Sequence, residues 1–357
     1  MKLEELRNFM DGRFDALVVT DPLDIAYLTG ASCSAAQLFV LQDDLILLTD
    51  YRYAAEARDL FPEINVVDMA NDPVHPYATY GRVAARFAKP RFATQGDISL
   101  IAQTAPGALA EPLGNVIAGL RAAKTDEEIK KIKRACEIAD IAFADLLGWI
   151  RPGQTEREVA IRLEMCMKQN GADQPMAYDI VVASGKRSAY AHGKATQKRI
   201  EPGDVVLLDF GCKYQGYCSD LSRTIFMGRA KEEQKHVYET VLEAQKNCIH
   251  ALRVGVDSAA IDRIAYETCA AKGYGKQYGR GVGHGLGLTV AEAPVMIDMP
   301  GFFPAVPIPE HAVVTIEPAI YLEGSYGIRV EDVLHVTKES AVNLVTADKS
   351  LIELNFG

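Results

Sequence analysis

The stretch Val205–Thr224, VVLLDFGCKYQGYCSDLSRT, decides the fold. Four apolar residues, Val205 to Leu208, run into Asp209. An apolar run of this length ahead of a glycine reads as a buried strand. A second β-forming run, Ser222 to Phe226, leads away after Asp220, and Tyr214, Gln215 and Gly216 between them have turn chemistry. Folding the hairpin about its midpoint sets Asp209 opposite Asp220. Directly opposed residues of an antiparallel pair point to the same face. Two carboxylates at the end of an apolar strand raise one pKa sharply unless a cation sits between them. Read alone, the same stretch is also a surface turn rich in aspartate.

A second stretch breaks the tie. His311–Asp332, HAVVTIEPAIYLEGSYGIRVED, has a short β-rich run from Val313 to Ile316 that ends at Glu317. A turn around Gly324 leads back to Arg329, Val330 and Glu331, so Glu317 and Glu331 face each other. The lead-in residues Ile200-Glu201-Pro202 recur as Ile308-Pro309-Glu310 at an offset of 108. Upstream, Arg151-Pro152-Gly153 opens a helical pattern ending near Gly171, and Arg253-Val254-Gly255 opens another ending near Gly273, at an offset of 102. Two halves, each helix then hairpin, indicate an internal duplication with pseudo-twofold symmetry. Chance repetition in a chain of this length is the alternative. A fifth piece, Gly279–Pro294, GRGVGHGLGLTVAEAP, surrounds His284 with glycines that permit close backbone approach. It lacks the Lys-Ser/Thr ending of a phosphate loop. Taken singly, His284 is a structural hydrogen-bonder or a nitrogen donor beside four carboxylates. Hard carboxylates with one imidazole suit divalent Mn, Co, Fe or Zn.

With these residues in view, the chain resembles the creatinase/aminopeptidase P, or pita-bread, metallopeptidases over nearly its whole length. Asp209, Asp220, His284, Glu317 and Glu331 match the five-ligand signature of that family, with spacing most like the Xaa-Pro dipeptidases, or prolidases. The resemblance implies two divalent metal ions per chain, with Mn, Co or Zn as candidates. Asp209 would hold one ion, His284 and Glu317 the other, and Asp220 and Glu331 would bridge them. It implies hydrolysis of dipeptides or short peptides at Xaa-Pro bonds, with a metal-bridged hydroxide as nucleophile. Glu317 would shuttle a proton, His192 would hold the scissile carbonyl, and Arg329 would orient a bridging carboxylate. It also implies a homodimer. Two positions depart from the pattern: Arg280 and Ala291 stand where the family's peptidases usually carry histidine. Arg280 either pairs with a ligand carboxylate or contacts substrate, and Tyr190 is a second candidate donor to substrate. The departures leave open a pita-bread metalloenzyme with non-proline hydrolase or lyase activity.

Composition sets the frame. The 357 residues are 48% hydrophobic and carry a formal net charge of −10. The acidic balance argues against nucleic acid and anionic membranes as partners; the small peptide substrate is what the resemblance implies. Seven cysteines without paired CxxC spacing read as reduced, mostly buried thiols, with Cys212 and Cys218 facing across the first hairpin. No signal-like or membrane-spanning run is present, which suggests a soluble, cytoplasmic protein.

The fold class expected is mixed α/β. Strands interleaved with helices make the first part an α/β unit, and the resemblance implies a creatinase-type N-terminal domain over residues 1–118 and a pita-bread catalytic domain over residues 119–357. In the first part Lys2–Met10 and Tyr51–Leu60 read as helices and Ala16–Val19 as a buried strand. Asp24–Leu28 also reads as a strand, Val83–Phe87 as part of a helix, and Glu111–Arg121 as a connection. Thr125 with Glu128 and Thr155 with Glu158 are capping boxes. They head helices running to about Ile150 and Gln169. Tyr178–Ala183 reads as a strand and Lys231–Leu252 as a long helix.

Overall fold

The computed structural model describes residues 2–175 and 179–356. It divides into two compact units, Met1–Leu120 and Arg121–Gly357. The first is a six-stranded mixed sheet in the order Asn65–Asp68, Leu45–Thr49, Ala36–Val40, Ala16–Val19, Arg91–Thr94, Leu109–Pro112. All four residues of Ala16–Val19 are buried, as a continuous apolar run at mid-sheet requires.

Three readings of this unit are corrected. Asp24–Leu28 lies within a helix, Pro22–Thr29. Asp21 accepts from the backbone N–H groups of Leu23 and Asp24, Pro22 opens the first turn, and Gly30 closes the helix at φ 81. Caps at both ends outweigh a five-residue apolar pattern that fits either element. Glu111–Arg121 is more than a connection: it takes in the end of the edge strand Leu109–Pro112 and most of the helix Val116–Ala122. The helix near Val83 ends early, at Ala84.

In the second unit both capping boxes form, and each threonine hydroxyl accepts from the backbone N–H three residues on. The helix Asp126–Trp149 buries Ile132, Cys136, Ala139, Phe143 and Leu146 on one stripe. Phe143 stacks 6.5 Å from Phe210 at the end of the strand Val205–Phe210. Each large apolar side chain so buried contributes about 1.5–3 kcal/mol. The strand expected over Tyr178–Ala183 is Val181–Ser184, and Tyr178 lies outside the described residues.

The duplication is visible in the backbone. Gly153 N–H donates to Ile200 O at 2.8 Å, and Gly255 N–H to Ile308 O at 2.8 Å. Glu156 N–H donates to Lys198 O at 3.0 Å, and Ser258 N–H to Val306 O at 2.9 Å. These are equivalent bonds at the two offsets read in the sequence. Each half carries a long helix, a shorter helix and a sheet. The first sheet runs Ile352–Glu353, Leu221–Phe226, Val205–Phe210, Val181–Ser184. The second runs Glu292–Met296, Gly283–Gly285, Val313–Ile316, Asp332–Val336, Ala341–Asn343.

The second hairpin has the expected register: Ile316 pairs with Asp332 and Ala319 with Arg329, which bracket Glu317 and Glu331 symmetrically. The first is displaced by two residues. Asp209 pairs with Ser222, and Tyr214 with Tyr217. The turn is Gln215-Gly216, both left-handed at φ 47 and 82, so only two residues separate the strands. Asp220 is therefore diagonal to Asp209, and Cys218 pairs with Lys213 instead of facing Cys212. All seven cysteines are buried and free.

Candidate metal centre

The return strands of the two hairpins meet at the centre of this unit. Glu331 N–H donates to Ser222 O at 3.1 Å, and Arg329 N–H to Thr224 Oγ1 at 3.1 Å. This seam brings carboxylates from both halves together. Donor atoms of Asp220, His284 and Glu331 lie within 4.8 Å of one another. His284 Nε2 is 3.3 Å from Glu317 Oε1 and 3.8 Å from Asp220 Oδ2. Asp209 sits at the edge of the group, in an ion pair with Arg329 Nη2.

His284 is delivered by the short strand Gly283–Gly285. A Cβ on Gly283 would lie 2.0 Å from Thr315 O, and one on Gly285 would lie 2.2 Å from Ala293 O. No other residue fits between these strands, which explains the glycine-rich stretch without a phosphate. The ladder shifts register between His284 and Gly285. Such irregularities re-aim a side chain next to a site. His284 Nδ1 lies 3.0 Å from Gly285 O and donates to it in the tautomer that leaves the Nε2 lone pair toward the carboxylates.

Electrostatics mark the group as a cation site. Glu331 is 1% exposed, and its Oε2 accepts from Ser222 Oγ at 2.7 Å. Its Oε1 is buried with no hydrogen-bond partner among the described residues. An unpaired buried carboxylate oxygen is costly, and a metal ion would satisfy it. Burial, with the charges of Glu317 and Asp209, pushes Glu331 well above the usual carboxylate range. Burial opposes the charge on His284, yet its hydrogen bond and charge contact with Glu317 outweigh that and raise it to about 9. Burial likewise pushes Glu317 up, but His284, Arg329 and His192 hold it below its ordinary value. The donor set, four carboxylates and one imidazole, fits hard to borderline divalent ions.

Arg329 is 3% exposed and organises the rim. Its Nε donates to Ser222 Oγ at 2.8 Å, and its Nη1 to Ala191 O at 3.0 Å and Tyr321 OH at 2.8 Å. It thus grips Asp209 directly and reaches Glu331 through Ser222. Ser222, Tyr321 and Thr315, whose Oγ1 accepts from His284 N–H at 3.1 Å, were not anticipated from the sequence. Ser222 carries a signal once the register is known, because it stands opposite Asp209. Tyr321 lies two residues from Ala319, the partner of Arg329, and so on the same strand face.

A cavity of about 750 Å³ opens above the group. Its lining includes Asp209, Asp220, His284 and Glu317 below, with His192, Ala291, Val290, Val181, Asp179 and Lys194 around them. Two expected substrate contacts are not in the lining. Arg280 lies 5.0 Å over the Tyr266 ring and donates to Asp298 O at 3.5 Å. Tyr190 is 57% exposed beneath Arg187.

Fold and site together define a metallopeptidase built on a duplicated half. Residues 130–338 match metallopeptidase family M24, and residues 2–132 match the Creatinase/Prolidase N-terminal domain; the chain belongs to family M24. It is 36% identical to an Xaa-Pro dipeptidase of Pyrococcus horikoshii, across 98% of each chain. Among solved structures it resembles an Xaa-Pro dipeptidase from Bacillus anthracis, with TM-score 0.90 and 33% identity over 98% of both chains. It also resembles an X-Pro aminopeptidase from Thermotoga maritima, with TM-score 0.87 and 31% identity over 98% of this chain and 99% of that one. No helix among the described residues is long and apolar enough to cross a membrane.

Proposed function

We propose that the chain is a metal-dependent hydrolase that cleaves short peptides at Xaa-Pro bonds and holds two divalent ions. Asp209, Asp220, His284, Glu317 and Glu331 would hold them, with Mn, Co or Zn as candidates. The observation that carries the reading is the buried, unpartnered Oε1 of Glu331 inside a converging group of acids and one imidazole. When bound, the ions supply an acidified water and an electrophile for the scissile carbonyl.

The protein's own groups do the rest. Glu317, at the cavity floor, moves a proton toward the leaving amine. His192 faces the same cavity and donates to the oxygen that gains charge. Arg329 keeps Asp209 and Glu331 in place through its fork of hydrogen bonds. Ala291 offers the cavity only a methyl group, at a position where the family the chain resembles usually carries histidine, and this supports a second reading, a hydrolase or lyase acting on non-proline substrates. One screen separates them: Xaa-Pro dipeptides, longer Xaa-Pro peptides and non-proline dipeptides, each with Mn, Co and Zn. Cleavage confined to Xaa-Pro substrates supports the first reading. Cleavage confined to the others replaces it with the second.

A further inference from the structure

The floor of the cavity is acidic, but its mouth carries a cation that the proposed chemistry does not use. Among the described lining residues, Lys194 is the one permanent cation. Its Nζ lies 2.7 Å from Asp179 Oδ2, and the two side chains are 76% and 68% exposed. An ion pair this open to water contributes little and exchanges readily. The backbone beneath the lysine is held firmly. Lys194 bridges to Val181 on the strand edge, and its carbonyl accepts from Arg187 Nη2 at 2.6 Å. Arg187 is itself paired at 3.1 Å with Glu156, whose side chain is fully buried. Gly193 lies so close to the strand that a Cβ there would be 2.9 Å from Ala183 Cβ. The chain therefore presents a mobile ammonium from a fixed point two residues past His192.

We propose that Lys194 reads the free C-terminal carboxylate of a short peptide and so makes the site selective for dipeptides over longer chains. The inference rests on the peptidase reading above. In a dipeptide the carboxylate follows the scissile bond by a single residue, a span of about 3.5 Å along the chain. In a longer peptide a neutral amide stands there, and the ammonium gains nothing. Without Lys194 the nearest charged group at the mouth is Asp179, which repels a carboxylate. Substrate binding thus exchanges one partner of Lys194 for another, while the acids below stay dedicated to metal.

The test compares one Xaa-Pro dipeptide with its C-terminal amide, using the metal-loaded protein and its Lys194→Met and Lys194→Arg variants. The parent should favour the free acid about 2- to 5-fold in kcat/KM, the worth of an ion pair open to water. Lys194→Met should lose that preference through a raised KM for the acid, and Lys194→Arg should retain most of it. An unchanged acid-to-amide ratio in Lys194→Met, or an equal loss on both substrates, would overturn the inference while leaving the peptidase reading standing. A parent that cleaves neither substrate would overturn both.

Discussion

At the scale of single residues, the atoms proposed to hold metal also hold protons strongly. Against the effect of burial, His284 is raised to about 9 by Glu317, and Glu331 is pushed well above a normal carboxylate by burial and by Glu317 and Asp209. His284 holds a proton at neutral pH and must lose it to ligate, and the upward shift of Glu331 acts in the same direction. The sign for stability follows. A folded value raised above the ordinary imidazole value of about 6.5 stabilises the metal-free fold fully below that pH and is lost as pH rises through about 9. Metal added to the metal-free protein at pH 7 in weak buffer should therefore release protons, and affinity should climb toward pH 9. Loading without proton release between pH 6 and 8 would contradict this protonation pattern. Glu317→Gln should keep the fold and lose most turnover, because an amide cannot shuttle a proton; near-normal kcat with metal restored would remove Glu317 from that role. Ala291 lines the cavity beside His284 and His192. One donor aimed at developing charge is worth roughly 10²–10³ in rate. Ala291→His should accordingly raise kcat on an Xaa-Pro dipeptide with metal content unchanged. A slower variant would mean that another group already serves the carbonyl.

At the scale of elements, the loop Gly287–Glu292 is held to the fold by a buried charge cluster. Glu292 pairs with Lys124 Nζ at 2.9 Å and Arg121 Nη2 at 2.5 Å, and their side chains are 9%, 1% and 12% exposed. A Cβ on Gly287 would meet Glu292 Oε1 at 2.4 Å, so glycine makes room for this carboxylate. Removing one partner of a buried pair strands the other, at a cost of about 3–5 kcal/mol. Glu292→Ala should lose that much in denaturant unfolding, and a loss under 1 kcal/mol would show the cluster to be solvated. The two hairpins show what a sequence can and cannot carry at this scale. Gly324 at φ 73 sits at the centre of its turn, and the register of Glu317 and Glu331 could be read from it. Gln215 takes a left-handed position usually given to Asn or Asp, so the two-residue turn was disguised and Asp220 seemed to face Asp209. The four acids and the imidazole that converge were legible because strand ends and glycines announce them. The grip of Arg329 on Ser222 and Ala191 O was not, because those partners lie more than a hundred positions away in the chain. Likewise Asp24–Leu28 looked like a strand because its caps, Asp21 and Gly30, lie outside the apolar run.

At the scale of the whole molecule, two copies of one helix-and-hairpin unit surround a site that neither copy could build alone. Asp209 and Asp220 come from the first, and His284, Glu317 and Glu331 from the second. The seam from Ser222 to Glu331 joins them. On the proposed reading one side chain would serve both ions, so removing it should empty both positions. The most direct measurement is metal content per chain after saturation with Mn and removal of free ion, made on the parent and on Asp220→Ala. Two equivalents in the parent and close to none in Asp220→Ala is the predicted result. One equivalent in the parent, or full occupancy in Asp220→Ala, would contradict a dinuclear centre bridged by that residue.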